Sequence, residues 1–151
     1  MAVLEIITKN TDHKDILRQV AKPIPFEDIP GYQKLIDDMI DTMHDAGAIG
    51  LAAPQVGHSI RLFVLEDGTV CINPEKLTGS GKITSPHEGC LSVPGKRYVI
   101  KRIRNVVLKC LDRDGKPQRL KPRKKLYSIA IQHEIDHING KLVCDRGTEV
   151  S

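Results

Sequence analysis

The feature that most constrains this 151-residue chain is a helical stretch with almost no polar side. From about Arg123 to Asn139, the residues Ile129, Ala130, Ile131, Ile135 and Ile138 point nearly all round a 3.6-residue repeat. A helix apolar on most sides belongs inside a protein, so the rest of the chain has to enclose it. Pro122 precedes the stretch and Gly140 follows it as a natural cap.

The enclosing layers are read from the preceding residues. Segments 60–66, 70–73, 97–102 and 105–112 are rich in β-branched residues and are bounded by the turn signals DGT, NPE and DRDGK. That pattern predicts antiparallel strands. A short helix is expected from about Asp12 to Val20, ended by the KPIP turn at 22–25. A second is expected from Tyr32 to Ala46. There Leu35, Ile36, Met39, Ile40 and Met43 share one face, while Asp37, Asp38, Asp41 and Asp45 share the other, and Gly47 supplies the stop. No repeat, linker or low-complexity segment divides the chain. The expected fold is α+β, one domain over 1–151, with antiparallel sheets around the buried C-terminal helix and helices at the N-terminus.

Composition removes several function classes. Hydrophobic residues make up 40% and charged residues 28%, a globular balance. With no Trp, three Tyr and two Phe, the core rests on aliphatic residues and a base-stacking platform is not expected. The net charge of +4 does not by itself call for nucleic acid. One basic run, RLKPRKK at 119–125, reads as a solvated loop face, with a weak contact to RNA or the ribosome as the alternative. The N-terminus turns polar within eight residues, so no signal or transit peptide is expected. No apolar run approaches the roughly 20 residues of a membrane span. Cys71, Cys90, Cys110 and Cys144 lie far apart without CxxC pairing, pointing to free thiols in a reducing, cytoplasmic setting. Cys71, Cys110 and Cys144 fall in strand-like runs and read as small core residues.

The buried helix carries QHEIDH at 132–137. His133 and His137 sit one turn apart on one side, so two imidazoles can converge on one cation with Glu134 beside them. This is the H-E-x-x-H arrangement of metal hydrolases, in which Glu acts as general base. Two core histidines satisfied by hydrogen bonds are the competing reading, but burying two imidazoles and a carboxylate without a cation is costly. A third protein ligand is needed. The segment PHEGCLSVPG at 86–95 offers Cys90, with His87 and Glu88 as rivals.

Three segments together, IGLAAPQVG at 49–57, EGCLSVPG at 88–95 and QHEIDH at 132–137, resemble the peptide deformylases in order and spacing, and the similarity runs over nearly the whole chain. The resemblance implies removal of the formyl group from N-formylmethionyl peptides by a monomer, with release of formate. It implies Cys90, His133 and His137 as ligands of one divalent cation, Fe²⁺ being the expected native metal and Zn²⁺ or Ni²⁺ the alternatives. It implies Glu134 as the acid/base, and the Gln55 amide and Leu91 backbone N–H as oxyanion donors. Gly50 and Gly89 would bring backbone close to the metal and limit the acyl group to formyl. Ile129 would help to line a methionine pocket. Of Arg97 and Arg102, one would pair with Glu88 and the other would hold the substrate backbone, with a solvated strand face as the equal alternative. Asp136 would orient a ligand His or face polar loops.

The chain departs from the family pattern at Ala48, where a Gly is usual, and Gly47 is placed to take the turn instead. Only INGKLVCDRGTEVS follows the H-E-x-x-H segment, as in short phage and organellar forms, which implies no ribosome-docking C-terminal helix. A metalloprotease would take a downstream third ligand, for which Glu149 is the sole candidate, and would leave EGCLS unexplained. An inactive metal- or peptide-binding module is the other alternative, against which stand the intact Glu134, Gln55 and Cys90.

Overall fold

The computed structural model describes residues 2–150. The expected first helix is a single 3-10 turn, Lys14–Arg18, and a second 3-10 segment, Phe26–Tyr32, leads into α1, Gln33–Asp45. Helix α1 buries Ile36, Met39, Thr42 and Met43, the stripe its spacing predicts. Gly47 takes φ 65 at the following turn, and Ala48 is not in the left-handed region.

Three short strands follow: β1 (Gly50–Ala52), β2 (Leu62–Leu65) and β3 (Val70–Ile72). All four residues of β2 are buried, because both faces of this part of the sheet are covered. Leu62 and Val64 pack with Ile36, Met39 and Met43 of α1. Phe63 and Leu65 point the other way, to Ile131 and Ile138. The sheet is thus sandwiched between α1 and the C-terminal helix α2, Lys125–Ile138.

Two of the expected strands are one. Segments 97–102 and 105–112 belong to β5, Val93–Leu111, a 19-residue strand, with Tyr98, Ile100, Arg102, Val106, Leu108 and Cys110 all buried at even positions. The buried positions stay even from Tyr98 to Cys110, across residues 103–104 that separate the two expected strands, with exposed Arg104 the one even position turned to solvent. Its partner β4, Thr78–Cys90, lacks the apolar alternation that would announce it. Most of its residues are solvent-facing, only Ser85 and Glu88 being buried, and backbone pairing with β5, from Thr78↔Val107 to Cys90↔Val93, holds it in place. The register shifts twice, between Ser85 and Glu88 and between Glu88 and Cys90. Such bulges bend a strand and re-aim its side chains, here at the end that carries Cys90.

The sheet order is β1-β2-β3-β5-β4, with β6 (Pro117–Leu120) and β7 (Thr148–Glu149) also pairing with β5. The LVCD run that looks strand-like is instead a one-turn helix, α3, Val143–Arg146, with Cys144 half-buried. Cys71 and Cys110 are buried in β3 and β5 as expected. Just past the end of α2, Gly140 turns the chain with φ 75, where a Cβ would lie 2.6 Å from the Arg18 carbonyl. The Ile138 carbonyl at this end accepts from Ala21 N–H at 2.8 Å and from Arg61 at 3.2 Å. No helix among the described residues is long and apolar enough to cross a membrane.

Candidate metal centre and active site

Helix α2 carries His133 and His137 on the side facing the bulged end of β4. Cys90 Sγ lies 3.2 Å from His137 Nε2, which lies 3.2 Å from His133 Nε2. All three donor atoms fall within 4.8 Å of one another. Ligands about 2.0–2.3 Å from a tetrahedral cation stand roughly 3.4 Å apart, so this spacing fits such an ion. The support fits as well. His133 Nδ1–H donates to Glu88 Oε1 at 2.8 Å, which turns Nε2 to the shared point, where a cation would replace its proton. His133 is held well above its usual pKa: burial opposes the charge, but the Cys90 sulfur and Glu88 outweigh it. This position favours positive charge. His137 is driven well below its usual value, first by burial and then by His133 and Arg102, so it remains a neutral donor.

Glu88, a rival ligand by sequence, supports the site from behind. Burial pushes its carboxyl up, yet hydrogen bonds from His133 and Arg102 outweigh that and hold it at about 2. Arg102 is drawn inward by the strand period of β5 and needs anions there. It pairs with Glu88 on one side and with Asp136 Oδ2 at 2.6 Å on the other. Asp136 in turn accepts from Arg146 at 2.8 Å. A chain of charge therefore runs Arg146–Asp136–Arg102–Glu88–His133, from α3 to the metal centre. Arg102 makes the Glu88 pairing expected of one of the two arginines. Arg97 is exposed and lies against Gly89.

Glu134 is buried beside the two histidines, and its Oε1 has no hydrogen-bond partner. Burial is the main cause that pushes its carboxyl up to about 7. An unpartnered acid with that affinity for protons is equipped to exchange one with a reacting group at neutral pH. Its other oxygen explains Gly50. A Cβ there would sit 2.7 Å from Glu134 Oε2 and 3.1 Å from Leu65 Cδ2, so glycine makes room for the acid rather than for the acyl group alone. Gly50→Ala is expected to keep the fold and lower turnover about 100-fold by displacing the carboxylate. Circular dichroism and steady-state kinetics check both halves.

Gln55 is buried on a 3-10 turn, Ala53–Val56. Its Oε1 accepts from Ala52 N–H at 3.0 Å, which turns the NH₂ group toward the metal centre. That group lies 3.2 Å from Ser92 Oγ and 3.8 Å from Cys90 Sγ. Ser92 is fully buried, its N–H reaches Cys90 Sγ at 3.4 Å and its hydroxyl donates to Ile7 at 2.7 Å. Sequence reasoning missed Ser92 and the Arg146 link, since a serine in a loop and an arginine near the terminus carry no signal of their own.

A cavity of about 580 Å³ opens on this centre. Gly50, Gln55, Gly89, Leu91, Arg97, Ile129 and Glu134 all line it, so the structure gathers the expected substrate-side residues on one hollow. His87 lines it also, away from the three-ligand group. Half-exposed Leu126, not singled out from sequence, forms part of its apolar wall.

Comparison with known proteins agrees with this geometry. A family model described as Polypeptide deformylase matches residues 4–151. A peptide deformylase of Hydrogenovibrio crunogenus is 44% identical over 135 residues, covering 85% of this chain and 78% of that protein. The crystal structure of a peptide deformylase from Legionella pneumophila superposes with a TM-score of 0.86 at 42% identity, over 97% of this chain and 87% of that one. A Synechococcus elongatus peptide deformylase in complex with actinonin gives 0.85 at 37% identity, over 96% and 79%. Sequence, fold and the Cys–His–His centre converge, and the chain belongs to the polypeptide deformylase family and is, with that family, a hydrolytic enzyme.

Proposed function

We propose that this chain hydrolyses the formyl amide of N-formylmethionyl peptides, with Cys90, His133 and His137 holding one divalent cation. The observation that carries the reading is the convergence of those three donors beside an unpartnered buried carboxylate at the floor of one cavity. The cation, when bound, supplies Lewis acidity that polarises a carbonyl and acidifies water. Glu134 takes the proton from the attacking water and returns it to the departing amine, so each turnover leaves the carboxylate as it began. The Gln55 NH₂, fixed by Ala52, and the Leu91 N–H donate to the oxyanion. Ile129 and Leu126 offer an aliphatic wall that suits an unbranched thioether. Arg97, above Gly89, is placed to meet the peptide backbone.

A soft thiolate with two imidazoles accepts Fe²⁺, Zn²⁺ or Ni²⁺, and we assign Fe²⁺ as the working metal in a reducing cytoplasm. We further assign a monomer whose exposed Lys121, Arg123, Lys124 and Lys125 make at most a weak electrostatic contact with the ribosome.

The test is formate release from formyl-Met-Ala-Ser by anaerobically prepared protein, with acetyl-Met-Ala-Ser as control. Release confined to the formyl peptide, abolished by chelation and restored by Fe²⁺, is expected. A protein that binds one metal and releases nothing would be an inactive binding module instead. Gln55→Ala is expected to lower kcat about 10²–10³-fold with little change in metal content.

A further inference from the structure

Helix α2 has two cavities, one on each side. The catalytic one lies against His133, Glu134 and Ile129. The other, of about 1010 Å³, lies against Gln132, Ile135, Asp136 and Asn139 and shares no lining residue with the first. Its floor is aliphatic, built from Leu77, Ile83, Ile103 and Ile135. The hairpin wall is pinned to α2 through Gln132, which accepts from Ile103 N–H and donates to the Ile103 carbonyl, both at 2.8 Å. The hollow is therefore preformed rather than a gap between moving parts.

The rim is cationic beyond what the protein itself neutralises. Arg102 and Arg146 are taken up by Glu88 and Asp136. Arg61, Lys76, Lys82 and Lys101 also line the cavity and form no ion pair among the described residues, against the single remaining carboxylate of Glu75. Arg61 is half-buried, and its guanidinium donates only to neutral acceptors: the Ala21 and Ile138 carbonyls at 3.4 and 3.2 Å and Asn139 Oδ1 at 3.0 Å. Burial presses its pKa downward, as for a cation that lacks a fixed anion. No aromatic ring lines the hollow, so a nucleobase would find nothing to stack on. The excess of cations equally excludes a metal ion.

We propose that this cleft is a second ligand site, which takes a small organic anion with an aliphatic body, of the medium-chain fatty carboxylate class. The carboxylate meets Arg61 and the rim lysines, and the chain lies on Leu77, Ile83, Ile103 and Ile135. The site is independent of the formyl-peptide reading, since the two cavities share no residue.

The experiment is calorimetric titration of the metal-loaded full chain with decanoate below its micelle-forming concentration, beside decanol and inorganic phosphate. Lys82→Glu/Lys101→Glu, two exposed positions outside the catalytic cavity, is the variant. Saturable decanoate binding is expected, at least about tenfold tighter than either control and at least about tenfold weaker in the variant. Formate release and the thermal midpoint of the ligand-free variant should match those of the parent. Absence of saturable binding, phosphate binding as tightly as decanoate, or binding unchanged in the variant would overturn the proposal. So would displacement of decanoate by the product peptide Met-Ala-Ser, which would place it in the catalytic cavity. Binding to anionic phosphatidylglycerol vesicles without binding to monomeric decanoate would reassign the surface to a lipid bilayer and also overturn it.

Discussion

Glu134→Gln is expected to lower formate release by about 10³-fold while leaving one metal ion per chain. A positioned acid/base typically contributes 10²–10⁴ in rate, and the amide cannot carry the proton. The same substitution should make the metal-free protein more stable at neutral pH. The Glu134 carboxyl is held at about 7 in the fold, against an ordinary 4.5. A group raised on folding contributes stability that is complete below the unfolded value and is lost as pH climbs through the folded one. Between about pH 4.5 and 7, the metal-free parent therefore loses up to about 3 kcal/mol that the glutamine variant keeps. Denaturant melts of both proteins at pH 5 and pH 8, after metal removal, check it. Curves that stay parallel at the two pH values would mean that Glu134 is solvated and is not the buried acid described above.

Arg102→Met should be the most damaging substitution outside the cavity. It leaves Glu88 and Asp136 as buried carboxylates facing a thioether, and removal of one partner from such a group costs about 3–5 kcal/mol. Because Glu88 also fixes the His133 ring, metal affinity should fall about 10–100-fold, the usual penalty for losing an outer support. Competition with a chelator of known affinity reads this directly, independent of turnover. An Arg102→Met protein with full metal affinity and a lowered melting midpoint would confine the arginine to structural support.

The legible parts of this molecule are those where one element suffices to carry the pattern. Helix α2 announces itself through apolar residues all round, α1 through its stripe, and the α+β class through the alternation of helical and β-branched segments. The convergence of Cys90 with His133 and His137 is accessible from the three motifs taken together. Strand β4 was not legible, since a strand held by backbone pairing and exposed on most residues has no hydrophobic signature. The gap at residues 103–104 reflects Arg102, Arg104 and Asn105, polar residues inside a strand whose buried positions are even from Tyr98 to Cys110. On its own strand Arg102 suits a solvated face equally well. Only the two carboxylates that reach it from β4 and α2 show that it is buried, and neither neighbour is visible from its own segment.

Strand β5 also sets how the molecule breathes. Its residues enter all three hydrophobic clusters, with Val106, Leu108 and Cys110 in one, Leu111 against the second, and Val93, Tyr98 and Ile100 in the third. It pairs with β3, β4, β6 and β7. An element shared this widely cannot come loose while the rest stays folded. Its central amides should therefore exchange with deuterium only through global unfolding, whereas the exposed β4 stretch Thr78–Lys82, at the open end of the β4–β5 ladder, should exchange by local fraying. On that outcome Arg102 ties the metal centre to the slowest-exchanging segment of the described residues.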